Sequence, residues 1–347
     1  MIVTYDCVGN IHIHTRYSDG SGEIPAIAQA AQKAGLDFII ITDHHHLRGK
    51  PEEGYYGRVL VLVGSEFNLE RNHYLGLNIN ETVPPCDEDP QQVIDGVRNQ
   101  GGMGFIAHPF EIGSPIYEDG KTYPWDDWQV RGFTGIDIWS YLSQWRDASQ
   151  SLPEAVYNYF NPHRAFKKGP LSDVLRQWDT LLQERMVVAI GCSDAHAIKI
   201  KLGPWQPVIS DYLPCFRSIN THLILERPLT GDPVHDRTLI YSALGTGRCY
   251  VGYDFLRKSK GFRFTAESNG HRVQMGERVQ ARDAVLKVET PYQAKVVLIK
   301  NGRRHRVETG RNHRFVGLGA GVYRVEAYLQ RCFSDCAWIF SNPIFLD

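Results

Sequence analysis

Short apolar runs separated by amphipathic stretches recur along the first two thirds of the chain. Most of these runs end at a histidine or a carboxylate. Residues 36–42 lead into Asp43-His44, residues 58–64 into Ser65-Glu66, residues 104–107 into His108, and residues 186–191 into Asp194-Ala195-His196. His12-Ile13-His14 and Asp19 open the series, and His73 falls inside it. Strands joined by helical crossovers imply a mostly parallel sheet, open or closed into a barrel. In such folds the rim after the strand ends carries the chemistry. Several oxygen and imidazole groups delivered to one rim are what a multinuclear metal site requires.

The periodicity predicts helices over 25–35, 90–101, 171–185 and 233–246, with Pro25 near the start of the first and Gly35 at its end. A further strand is expected over 133–140. Helical spacing stops near Lys258. Residues 321–329 alternate apolar and polar, and Asn301-Gly302 is a hairpin signal. The reading is two domains, 1–257 and 258–347. The second is a small β-sandwich without ligand clusters, joined by a linker at 256–260 and expected to be separable from the chemistry. Residues 111–169 are irregular and rich in aromatics. Most are read as a satellite core, with one or two tryptophans facing substrate.

Composition narrows the partners. A formal net charge of −1 provides no bulk field to attract nucleic acid or an anionic membrane. No apolar run is long enough to span a bilayer, and the N-terminus has no secretory pattern. Seven scattered cysteines, with Cys332 and Cys336 the one close pair, fit reduced buried thiols in a cytoplasmic protein better than a disulfide framework.

A single His-x-His proves little in a chain with 14 histidines. The set carries the argument: His12-Ile13-His14-Thr15 with Ser18-Asp19-Gly20, Thr42-Asp43-His44, Gly64-Ser65-Glu66, His73, Ala107-His108-Pro109 and Gly191-Cys192-Ser193-Asp194-Ala195-His196. In composition and order it resembles the polymerase and histidinol phosphatase (PHP) family of metal-dependent hydrolases, over about residues 8 to 254. Gly135-Ile136-Asp137-Ile138-Trp139 and Ser341-Asn342-Pro343-Ile344 are similar to the branch named after bacterial carbaryl hydrolases.

The resemblance implies a distorted (β/α)7 barrel with two or three divalent ions, whether zinc, manganese or iron. It places the first ion on His12, His14, Glu66 and Asp194. Glu66 would bridge to a second on His73 and His108, and Asp19, His44 and His196 would hold a third. The activity implied is phosphoester hydrolysis of a small phosphorylated molecule by a metal-bridging hydroxide. On the residues' own chemistry, Asp194 or His196 would move the proton, and a metal or His45 would assist the leaving oxygen, with His45 reading equally as a support behind the ligands; Arg16 reads equally as a binder of an anionic group and as a surface arginine. Asp43 is expected to orient a ligand histidine. His163, His222, His235, His271, His305 and His313 read as solvated or structural. Two rival readings are carboxyl or carbamate ester hydrolysis on the same fold, and a metal-stabilised binding module without catalysis. No membrane or nucleic-acid partner is expected.

Overall fold

The computed structural model describes residues 4–200, 206–331 and 334–347. Strands β1 (Tyr5–Ile11), β2 (Phe38–Ile41), β3 (Gly54–Tyr56), β4 (Val59–Val63), β5 (Ser65–Phe67), β6 (Tyr74–Leu77), β7 (Met103–Ile106), β8 (Gly135–Ser140) and β9 (Val188–Cys192) build the first part. Helices α1 (Ile24–Ala34), α2 (Pro90–Asn99), α3 (Tyr141–Asp147), α4 (Leu152–Phe160), α5 (His163–Phe166) and α6 (Ser172–Leu181) lie between them. The chain continues through β10 (Ile198–Lys199), β11 (Val208–Ile209), α7 (Tyr212–Phe216), β12 (Ile219–Leu225), α8 (Pro233–Thr246) and β13 (Cys249–Tyr253). It ends in β14 (Arg263–Ser268), β15 (His271–Gln274), β16 (Arg278–Val279), β17 (Val285–Lys300), β18 (Arg303–Phe315), β19 (Gly321–Arg331), β20 (Ser334–Ser341) and β21 (Ile344–Leu346).

Local chemistry explains the elements. In α1, Ile24, Ile27, Ala28, Ala31 and Ala34 recur at helical spacing and are buried, while Gly35 closes the helix at φ 89°. β2 and β4 are buried on both faces, as their unbroken apolar sequences require.

One sheet runs β12-β1-β2-β4-β3, with β1, β2 and β4 parallel. A second runs β5-β6-β7-β8-β9, with β7, β8 and β9 parallel. The chain crosses from the first to the second at Gly64, where a Cβ would lie 2.4 Å from the Gly76 carbonyl oxygen. At the other seam Ser193 N donates to Ile11 O at 3.2 Å and His14 N to Ala195 O at 2.9 Å. Among the described residues the ladders do not close into one barrel. The bend at Gly64 ends one ladder before the next begins, and isolated bridges Ile13–Ala195 and His44–Glu66 span the seams. Ile11, Ile40, Leu62, Leu75, Phe105 and Ile190 pack together between the two sheets. Each such side chain contributes roughly 1.5–3 kcal/mol by leaving water.

The C-terminal part is antiparallel and β-rich. Asn301 and Gly302 have φ 50° and 74°, the two-residue turn expected between β17 and β18. This region is not hydrogen-bonded to itself alone, as the separate sandwich would be. β20 pairs with β13, so the first sheet continues as β15-β14-β17-β19-β20-β13-β12. Without β20 the edge of β13 would be left unpaired. The core of this region also takes in Ile224 and Tyr250 from β12 and β13. The stretch read as a linker is anchored: Ser259 is buried, and its hydroxyl lies 2.8 Å from Asp254 Oδ1 and 2.9 Å from His222 Nε2. Among the described residues no helix is long and apolar enough to cross a membrane. The six described cysteines are free, and Cys332 lies outside the described residues.

Candidate metal centre

The strand ends deliver the expected set to one place. His12 and His14 follow β1, His44 follows β2, Glu66 sits in β5, His73 precedes β6, His108 follows β7, and Asp194 and His196 follow β9. Three of these positions carry unusual backbone, His12 (φ 69°), His108 (φ 27°) and Asp194 (φ 53°), and so does His45 (φ 57°), beside His44. Each such conformation costs about 1–3 kcal/mol and persists only where the surroundings over-determine it.

Glu66 is buried at the centre. Its Oε2 lies 2.9 Å from His12 Nε2 and 3.1 Å from His14 Nε2, and both nitrogens also face Asp194 Oδ1, at 3.2 and 3.5 Å. Its Oε1 turns the other way, 2.8 Å from His73 Nδ1 and 3.4 Å from His108 Nε2. A third group forms around Asp19. Its Oδ2 lies 3.5 Å from His44 Nε2 and 3.4 Å from His196 Nε2, and its Oδ1 lies 3.3 Å from His14 Nδ1. In each group the ligand-capable atoms lie within 4.8 Å of one another. Bonds near 2.0–2.3 Å to a central cation place neighbouring ligand atoms about 2.8–3.8 Å apart. The spacing therefore fits divalent ions, and these clusters, buried except at Asp19 and His44, could bind them.

Hydrogen bonds select the donor atoms. His196 Nδ1 donates to the Asp194 carbonyl at 2.9 Å, which leaves Nε2 with the lone pair. His14 belongs geometrically to two groups, but a neutral imidazole has one lone pair. With Nε2 turned to Glu66 and Asp194, its Nδ1–H faces Asp19. His12 Nδ1, His73 Nε2 and His108 Nδ1 are buried without hydrogen-bond partners.

Charge is concentrated here. Burial pushes Glu66, Asp194 and Asp19 up, but the surrounding imidazoles outweigh it and hold all three well below the usual carboxylate range. Burial lowers His108, yet Glu111 and Glu66 raise it to about 10. Such a set competes for cations against protons.

A cavity of about 230 Å³ opens over the site. Its remaining wall includes His45, Asn68, Glu111, Tyr117, Tyr123 and Arg146. His45 is one of the lining residues, but both of its ring nitrogens are buried and without hydrogen-bond partners, and burial holds its pKa down. Arg16 is not brought to the cavity. It is exposed and paired with Glu23 at 2.5 Å. The cationic side chain at the site is the buried Arg146 in α3, which sequence reasoning missed because no motif marks it. It donates to the Lys121 carbonyl, lies 3.4 Å from Glu118 Oε2 and 3.7 Å from Glu111 Oε2, and stacks over Tyr117. Asp43 does not touch a ligand histidine either. It accepts from Thr15 N at 2.7 Å and Ser18 Oγ at 2.6 Å, and so fixes the turn that carries Asp19. Gly20 completes that turn, since a Cβ there would lie 2.3 Å from His14 O. Among the described residues no tryptophan lines the cavity. Trp125, Trp139, Trp145 and Trp178 are buried, and the aromatic walls are Tyr117 and Tyr123.

The profile of the PHP domain matches residues 10–105, which hold His12, His14, Asp19, His44, Glu66 and His73. The uncharacterized protein MJ1587 of Methanocaldococcus jannaschii is 34% identical over 122 residues, 31% of this chain and 68% of that protein. The chain belongs to the PHP family. Among solved structures, a two-domain protein from Bacteroides vulgatus containing a predicted PHP-like metal-dependent phosphoesterase aligns over 98% of this chain and 95% of its own, at 16% identity and a TM-score of 0.43. An amidohydrolase from Chromobacterium violaceum, solved with bound sulfate and no metal, aligns over 54% of this chain and 87% of its own, at 16% identity and a TM-score of 0.33. In this PHP protein, His108, Asp194 and His196 join the centre from beyond the matched residues.

Proposed function

We propose that this PHP protein is a metal-dependent hydrolase of small phosphoesters. The observation that carries the reading is Glu66, whose two oxygens face two separate histidine groups, as a carboxylate bridging two cations must. His12, His14, Glu66 and Asp194 would hold one ion, Glu66, His73 and His108 a second, and Asp19, His44 and His196 a third. Zinc, manganese and iron all suit this mixed donor set. Bound divalent cations would supply Lewis acidity toward phosphoryl oxygens and an ionised water near neutral pH.

The chain's own residues do the rest. His45 lines the cavity and no hydrogen bond commits either of its ring nitrogens, so the reading assigns it the proton given to the leaving oxygen. His196 is committed through Nδ1, which favours His45 over His196 in proton transfer. Tyr117, Tyr123 and Arg146 line the cavity, Tyr123 against His73, and would meet the body of a phosphorylated small molecule. A distorted seven-stranded barrel of β1, β2, β4, β6, β7, β8 and β9 is supported by the shared core between the sheets and the bridges at both seams.

The test is metal analysis of protein purified without chelator, followed by hydrolysis assays on phosphoesters beside aryl carboxyl esters and carbamates. Two or three ions per chain, phosphoester turnover, loss of turnover with EDTA and its return with added metal are expected. Undiminished phosphoester hydrolysis after chelation, verified by metal analysis, would overturn the proposal. Turnover confined to aryl esters or carbamates would shift the substrate class to the carbaryl-hydrolase branch.

A further inference from the structure

Helix α4 carries an apolar stripe that the fold leaves half open. Leu152, Ala155, Val156 and Tyr159 recur at helical spacing, so they share one face. A surface helix normally buries such a stripe, yet Leu152 is 56% exposed, Val156 37% and Tyr159 36%. The stripe walls a pocket of about 120 Å³. Ile116, Tyr117 and Trp145 line another side of it, and Ile200, Pro207 and Ile209 a third. Every described residue of this wall is apolar or aromatic. Such a wall gains by taking up apolar surface and offers a charged group no counter-charge.

Three elements join this pocket to the metal cavity. Tyr117 belongs to both walls. In α3, Leu142 lines the metal cavity, and Trp145, three residues on and so its neighbour on the helix surface, lines the pocket. Ile198 of β10 lines the metal cavity and pairs directly with Ile209 of β11, which lines the pocket. Opposed residues of an antiparallel pair point to one face with Cβ atoms about 4.5–5.5 Å apart. The two spaces therefore share a boundary. An ester bound with its phosphoryl group at the metal centre has an organic group to place, and the adjoining space is apolar. We propose that the pocket is a subsite for an apolar leaving group, which makes the preferred substrates phosphoesters of apolar alcohols. The inference rests on the hydrolase reading given above. Hydrolysis adds water across the P–O bond: phosphorus gains the water oxygen, and the alcohol departs from the pocket carrying a proton.

The experiment measures kcat/KM of the metal-loaded protein on ethyl, butyl, hexyl and octyl phosphate. It should rise about three- to fourfold per added methylene until the pocket is filled. Ala155→Trp fills the space, and Leu152→Asp puts a charge on its wall at an exposed position that the fold tolerates. Both should lower the octyl-to-ethyl ratio of kcat/KM by about tenfold or more. Tyr157→Ser, an exposed change on α4 outside the stripe, should keep the parental ratio. Because the readout is a ratio within one protein, partial unfolding cannot imitate it. A parent indifferent to chain length, or a parental ratio in both pocket variants, would overturn the proposal. So would a dimer that Leu152→Asp dissociates while the ratio stays parental, since a second copy would then cover the face. Calorimetric titration with 1-octanol reads the pocket apart from the chemistry, and one saturable site per chain that Ala155→Trp abolishes is expected. A parent that turns over no phosphoester would defeat the hydrolase reading. The octanol titration would still decide the pocket, and absence of saturable binding would overturn it as an apolar site.

Discussion

At the scale of single residues, the centre depends on which atom of each side chain faces which neighbour. Glu66 is the sharpest case, because both of its oxygens are committed. Glu66→Gln keeps the shape but offers one oxygen ligand and no charge. Groups that merely support a ligand cost about 10–100-fold when removed. Loss of the bridging carboxylate should therefore lower kcat by more than about 100-fold and reduce the bound metal, measured by steady-state kinetics and metal analysis on the same samples. Arg16→Ala is the matching control. Its exposed pair with Glu23 stands apart from the cavity, so kcat/KM should stay within about twofold of the parent, in line with small effects at exposed pairs. A large loss there would place Arg16 at the substrate after all.

At the scale of elements, buried polar ties lock strands and helices to one another. Asp254, at the end of β13, meets His222 of β12 at 3.0 Å and accepts from Ser259 N at 2.8 Å. Burial pushes its carboxyl up, but His222 and the Ser259 N–H outweigh that and hold it at about 2, below the ordinary 3.8. A depressed folded-state value means that the stabilisation is present above the unfolded value and lost as pH falls through the folded one. Asp254→Asn should be less stable than the parent by about 2 kcal/mol at neutral pH. The gap should close as pH falls from about 4 to about 2. Urea unfolding across that range measures it, and a gap that ignores pH would remove the carboxylate from the account. Arg324 of β19 makes the second tie. Nε and Nη2 grip Asp179 of α6 at 2.6 and 2.7 Å, and Nη1 reaches Glu326 at 2.7 Å. Arg324→Ala leaves these carboxylates without their buried partner and should cost about 3–5 kcal/mol. Arg324→Lys should restore only part of this, since an ammonium cannot reproduce the two-pronged contact.

At the scale of the whole molecule, the continuous sheet changes what truncation does. A separable accessory domain would allow a chain ending after Asp254 to keep its metals and some turnover. In the structure such a cut strips β20 from β13, removes Trp338, Ile339 and Val325 from around Ile224 and Tyr250, and discards Ser259 from the Asp254 cluster. The truncated chain should lose cooperative unfolding and precipitate or expose apolar surface, as read by thermal denaturation and dye binding. A soluble fragment that unfolds cooperatively and binds metal at parental stoichiometry would show that the N-terminal part is self-sufficient.

The ligand inventory was legible along the chain because most of its members sit at or just beyond the end of an apolar run. Periodicity locates those runs, and residue type alone says what can bind a cation. The Asn301-Gly302 hairpin and α1 were legible for the same local reason: turn and cap chemistry depend on a few adjacent residues. Other features depend on contacts between elements far apart in sequence. Sheet register sets the split of the two Glu66 oxygens. Packing of α3 against the loop at 111–123 makes Arg146, not Arg16, the cation of the cavity wall. Pairing of β13 with β20 joins the C-terminal strands to the first sheet. Local spacing says which residues can do chemistry. Which atoms meet is decided by backbone hydrogen bonds and side-chain packing that exist only once the whole chain has folded.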